Sequence, residues 1–256
     1  MLIPGAIVET LEGPTDVLLI DLPTVKQRLG IDAADVSQDA ELTRQIEAVG
    51  QLYASPEGLG RPLWRQRYRE THPATDSDWL YLAAHPVESV SASNGGAVLE
   101  GIVIEDPDRR SLYRADGWPS GVSVEYVAGW LMPSQVGDWQ PSTAYSAGAW
   151  VRAVARPLLR FQAVTDGQSA NAAPPWPIVA GEEIDDGGTV WRAVRASELP
   201  EQIRQLALIR VAQIATGGLE IPVGIQWLAD PSGSVSFKQS EQSLSSIERA
   251  VLKGYR

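Results

Sequence analysis

With 256 residues, 44% of them apolar and 21% charged, the chain has enough core-forming material for one large domain or two small ones. The absence of cysteine excludes disulfides and thiolate metal sites and fits folding in a reducing cytoplasm. A net charge of −11 excludes tight DNA binding through phosphates, while leaving room for an acidic wall that DNA slides past.

The first predicted element is a helix in "DLPTVKQRLGI", where Pro23 suits the first turn, Val25 and Leu29 share a face and Gly30 supplies the stop. A second helix follows in "SQDAELTRQIEAVGQLY". Ser37 is its expected cap, Asp39 and Glu41 favour its positive end, and Leu42, Ile46, Val49 and Tyr53 form one apolar stripe. From Arg61 the period falls to two. "LWRQRYRE", "DWLYLAAHPVESVSA", "LEGIVIED", "RSLYRA" and "GVSVEYVAGW" read as strands, with turns at Asn94–Gly96 and Asp116–Gly117 and breaks at Pro86 and Pro107. The spacing predicts a helix again in "ELPEQIRQLALIRVAQIATGG", apolar around much of its circumference and ended by Gly217 and Gly218. An extended arm over Gly218–Gln239 and a short terminal helix complete the chain, the helix carrying Leu244, Ile247 and Val251 on one face and stopping at Gly254.

Between Gly129 and Leu199 the composition shifts to Trp, Gly, Pro and Ala. "WVRAVARPLLRFQAV" and "GGTVWRAV" are strand-like, and "DGQSANAAPPWPIVAGEEIDDGG" is rich in turns. This block reads as a small β module spliced into a host fold, a tolerable insertion where its two ends lie close together.

Signals for catalysis are weak. The two histidines, His72 and His85, have no metal-ligand spacing and read as loop or strand-end residues. No Walker loop, dinucleotide fingerprint or nucleophile elbow is present. Glu182, Glu183, Asp185 and Asp186 read as a solvated acidic turn rather than a calcium loop or a glycosidase pair, and Arg65, Arg67 and Arg69 as ion-pair partners within or between subunits. The chain is expected to be no enzyme, with no cofactor and no metal. No leader pattern opens it, and Val17–Ile20 is far too short an apolar run for a membrane span.

Outside the Gly129–Leu199 block the series "LPTVKQRLGID", "DAELTRQIEAV", "GRPLWRQRY", "LYLAAHPVESVSA", "VSVEYVAGW", "LPEQIRQLALIRVAQI" and "IERAVLKGYR" resembles the head–tail connector, or adaptor, proteins of long-tailed bacteriophages. No single motif is specific; the order of seven is. The resemblance implies a virion neck protein, made in the host cytoplasm and assembled as a homo-oligomeric ring of about twelve copies beneath the portal protein. Such a ring extends the DNA channel without specific DNA binding, contacts no membrane and docks the next neck or tail-completion protein. It also implies a portal-binding arm and terminal helix, here Ile225, Trp227, Phe237, Leu244, Ile247, Val251, Tyr255 and Arg256.

The inserted block, from "WQPSTAYSAGAWV" through "RFQAV" and "PPWP" to "DDGGTVW", resembles small carbohydrate-binding modules of the chitin-binding type. That resemblance implies surface aromatics that stack on sugars, at Tyr145, Trp150, Trp176 and Trp191, and an alternative role as a glycan-binding virion protein. Against it, a cysteine-free module this small needs its large rings for its own core. The expected fold is therefore α+β: a mostly helical adaptor core with a small antiparallel β region over residues 1–137 and 196–256, interrupted by an all-β module at 138–195.

Overall fold

A computed structural model describes residues 6–73, 77–105, 110–218 and 244–255. The chain divides into two compact units. One comprises Asp16–Leu63, Met132–Ser134 and Leu199–Arg256, and the other Met1–Thr15, Trp64–Leu131 and Gln135–Glu198.

The first unit is helical. Helix α1 (Leu22–Leu29) starts where the Asp21 carboxylate accepts from the Thr24 backbone N–H at 2.9 Å, and stops at Gly30 with φ of 71°, a left-handed turn that a side chain resists. Helix α2 (Asp39–Ala54) buries the expected stripe of Leu42, Ile46, Val49 and Tyr53. Its cap position is taken by Gln38 rather than Ser37, whose N–H is instead held by Asp35 at 2.9 Å in the preceding turn. Helix α3 (Glu201–Ala215) buries Ile203, Ala207, Arg210, Val211 and Ile214 but leaves Gln202, Gln205, Ile209 and Gln213 open, so its circumference is less covered than its apolar content suggests. Helix α4 (Ser246–Lys253) opens with a reciprocal capping box between Ser245 and Glu248.

The second unit is built of strands. Strands β1 (Ile7–Glu12), β2 (Gln66–His72), β3 (Trp79–Tyr81), β4 (Val87–Asn94), β5 (Ala97–Leu99), β6 (Val103–Ile104), β7 (Ser111–Tyr113) and β8 (Val122–Ala128) make two sheets. The larger is antiparallel throughout in the order β1-β2-β8-β4-β5, and β3-β7-β6 forms a small second sheet. Between them lies a core of Tyr68, Leu80, Leu82, Leu112, Trp118, Val122, Val124 and Tyr126. After β8 the backbone passes so close to β2 that a Cβ on Gly129 would stand 2.2 Å from the Trp64 carbonyl oxygen, at φ of 107°; only glycine fits there.

The same unit contains the block over residues 138–195. Strands β9 (Val136–Asp138), β11 (Trp150–Arg152), β12 (Arg160–Ala163), β14 (Glu183–Asp186) and β15 (Thr189–Val194) form a sheet in the order β14-β15-β12-β11-β9, with β9 parallel to β11. Strands β10 (Ala144–Tyr145) and β13 (Gly167–Gln168) pair separately.

The expectation of a mostly helical core is overturned. Of the described residues 31% are strand and 23% helix, with four helices against several sheets. The physical reason is range. Helices α2 and α3 announce themselves within one sequence window, whereas β2 gains its partners from β1 and β8, far along the chain. Strand β1, apolar only at Ile7, Val8 and Leu11, escaped sequence detection altogether.

Candidate assembly site

In the helical unit the terminal helix is held by a buried charge network. The Arg210 guanidinium donates to both Glu248 oxygens at 2.8 and 2.7 Å, and the Tyr53 hydroxyl donates to the same carboxylate at 2.9 Å. The Ser245 backbone N–H adds a bond of 2.7 Å. Burial alone would raise the Glu248 pKa. The bonds from Arg210, Ser245 and Tyr53 outweigh it and hold the carboxyl below the ordinary glutamate range. Burial, reinforced by the facing carboxylate, pushes the Tyr53 hydroxyl well above its usual value. At the far end of α4 the Arg61 guanidinium donates to the Tyr255 carbonyl at 3.0 Å, and the Tyr255 hydroxyl donates to Gln202 at 2.9 Å. Both ends are therefore pinned.

This geometry rearranges the expected terminal-helix residues. Leu244 is buried, Val251 and Tyr255 are half-buried, and Ile247 is 68% exposed. The inward face is Leu244, Glu248 and Leu252, not the Leu244–Ile247–Val251 stripe read from apolar spacing, because an ion pair substitutes for one apolar contact. Gly254 ends the helix in an ordinary right-handed conformation, with φ of −67°. Ile225, Trp227, Phe237 and Arg256, along with the alternation at 234–237, lie outside the described residues.

In the block over residues 138–195 the aromatics face inward. Trp191 is fully buried, stacked edge-on by Tyr145 at 4.9 Å, and Trp176 packs on Phe161 at 4.3 Å. Trp150 is buried with Leu131, Val136 and Ala196, its ring covered by the Arg65 guanidinium at 5.1 Å, which is itself bonded to Glu88 at 2.6 and 2.8 Å. Tyr145 is partly open, and its hydroxyl accepts from the Gln140 N–H at 2.9 Å. None of the three tryptophans presents a free ring face to a sugar; each serves the core, as the energetic argument from size requires.

Asp186 is the hub of this block and corrects the solvated-turn reading. Its carboxylate is buried and accepts from the indole N–H groups of Trp139 at 2.8 Å and Trp191 at 2.9 Å, and from the Ala170 N–H at 3.0 Å. The clue in the sequence was the Gly187–Gly188 turn, which folds Asp186 back beside β15, but composition cannot distinguish an inward from an outward aspartate.

The large sheet of the second unit has two contrasting faces. On the outer one, Arg67 bonds Glu12 at 3.1 Å and Glu125 at 2.9 Å, while Arg69 bonds Glu125 at 2.6 Å and Glu9 at 3.3 Å. These are the intramolecular ion pairs expected of the arginine strand, and Arg69, then Arg67, holds the Glu125 carboxyl below its ordinary range. On the inner face Glu70 is buried, receives the Ala83 N–H at 2.8 Å and the Tyr126 hydroxyl, and lies 3.1 Å from His72. Sequence reading passed over Glu70, although its place two residues from Tyr68 on β2 put it on the core side. His85, also buried, precedes the cis Pro86 bond at the start of β4.

Among the described residues no group of three or more His, Asp or Glu side chains is placed to hold a metal ion, and no helix is long and apolar enough to cross a membrane. No protein-family model matches the chain, and no curated protein matches it. Among solved structures, a chain from the neck of an empty GTA particle computed with C6 symmetry is similar over 98% of this chain and 95% of that one, at 11% identity and a TM-score of 0.45. So loose an overlap leaves the role of this chain to its own residues.

Proposed function

We propose that the protein is a non-enzymatic structural subunit of a phage-type neck. It is an adaptor whose copies form a ring beneath the portal, extend the DNA channel and dock the next neck or tail protein in the virion. What supports the reading is where the motifs of the adaptor resemblance fall. They are the positions that bond to one another. Trp64 of "GRPLW" bridges Trp130 of "YVAGW", with the Arg65 N–H on the Trp130 carbonyl at 3.1 Å. The neighbouring Gly129 N–H reaches the carbonyl of Pro86 in "HPVESV" at 3.0 Å. Arg210 in the "LPEQIRQLALIR" helix pairs with Glu248 in "IERAVLKGYR".

In this reading residues 138–195 are an insertion carried on the adaptor, and the net charge of −11 keeps DNA from adhering as it passes. Mixing purified protein with DNA-filled, tailless heads and imaging the portal vertex tests it. Added ring density below the portal is expected; bare portals at saturating protein would overturn the assignment.

A further inference from the structure

The inserted block carries an exposed apolar patch that its own fold does not use. The β11–β12 hairpin tip, residues 153–159, tucks Ala153 and Leu159 into the core but leaves Val154 97% and Leu158 87% exposed. Beside it, Ile178 is 72% and Val179 53% exposed. Two hydrogen bonds bring the segments to one end of the block. The Arg156 side chain donates to the Trp176 carbonyl at 3.1 Å, and the Gly181 N–H donates to the Ala193 carbonyl at 2.8 Å, one residue from the Val194–Arg160 pair that ends the β12–β15 ladder. Four large aliphatic side chains in open water are costly unless something covers them.

The charge around the patch says what. Arg156 lies within the tip, and the exposed Arg195 follows the Val194–Arg160 pair at the foot of the hairpin. An apolar, locally basic tip on a chain of net charge −11 is complementary to the rest of that chain. In the helical unit the loop over residues 31–38 offers the matching pattern: Val36 is 71% exposed and shares the loop with Asp32 and Asp35, whose carboxylates accept from the Ala34 and Ser37 backbone N–H groups at 2.8 and 2.9 Å. Aliphatic side chains have no flat ring face for a sugar, which leaves a protein surface as the fitting occupant.

We infer that the hairpin tip Val154–Leu158, with Ile178 and Val179, docks on the acidic Val36 loop of a second copy of this chain. Such a contact joins unlike surfaces, so it propagates head to tail and closes into a ring when the rotation permits. It deepens the adaptor reading, on which it rests for the presence of neighbouring copies, by naming the surfaces between them.

The absence of cysteine makes the test direct. Leu158→Cys protein mixed with Val36→Cys protein is expected to form an interchain disulfide under mild oxidation, while Leu158→Cys alone stays uncrosslinked. Leu158→Asp, at a site too exposed to affect folding, is expected to move self-association in sedimentation to at least about tenfold higher concentration, with unchanged circular dichroism. No mixed disulfide, Leu158→Cys pairing with itself, or Leu158→Asp associating like the parent would each overturn the contact. So would a monomer that instead sediments with phosphatidylserine vesicles through the tip. Ring density on heads without the mixed disulfide would sink this contact and leave the adaptor reading standing. Crosslinked oligomers that leave portals bare would do the reverse.

Discussion

At the scale of single residues, the buried carboxylates matter more than the visible ion pairs. Glu248 meets Arg210 with side chains 8% and 5% exposed, so removing either partner strands a charge. Arg210→Met or Glu248→Gln is expected to cost about 3–5 kcal/mol in urea unfolding. The depressed Glu248 pKa also has a pH signature. Its contribution is complete above the unfolded glutamate value of about 4.3 and is lost as pH falls through the lower folded value. Stability measured from pH 6 downward should therefore fall more steeply in the parent than in Glu248→Gln. Asp186→Ala leaves two indole donors and one backbone donor unsatisfied and should cost about 3 kcal/mol, seen as a lowered midpoint in tryptophan fluorescence. The exposed arginines contrast with these: Arg67→Ala should change stability by under about 1 kcal/mol, and less still in high salt.

At the scale of elements, legibility followed the range of the interactions. Helices α1, α2 and α3 were readable because their apolar residues and the glycine or proline breaks beside them lie within a few turns of one another, although the Ser37 cap expected of α2 gave way to Gln38. The face of α4 was misread because spacing ranks Ile247 above Glu248, while the fold supplies Arg210 from another helix to make the glutamate the inward residue. Most strands were visible as alternation, but their order was not: β8 lies between β2 and β4, and β9 runs parallel to β11, through pairings no window contains. The β2–β8 joint depends on a missing side chain. Gly129→Ala is expected to destabilise by about 2 kcal/mol or more, since both the Trp64 carbonyl and the positive φ oppose a Cβ. A denaturant midpoint equal to the parent would refute that close approach.

For the whole molecule, deleting the terminal helix is a poor test of assembly. Loss of residues 244–256 would strip Arg210 and Tyr53 of Glu248, so the helical unit would lose stability along with any docking surface. Ile247→Asp separates the two effects. Its side chain is 68% exposed, so folding should change by less than about 0.5 kcal/mol. If the terminal helix meets the portal, occupancy of the vertex should still fall several-fold; full occupancy would move the portal contact elsewhere on the chain.

By itself the sequence determined what is local or summed: a cysteine-free acidic chain, the helices with their apolar stripes, the turns, and the ordered series of motifs that resembles an adaptor. Only the tertiary structure decided which side chains face inward. Asp186, Glu70 and Glu248 became buried hubs, and Trp150, Trp176 and Trp191 became core rather than platform, while Val154 and Leu158 were left in water. The reason is physical. A carboxylate is buried only where donors converge on it from several elements, and a ring or an aliphatic side chain is covered only where another element supplies the cover. Convergence of that kind is a property of the folded chain, written in no single stretch of it.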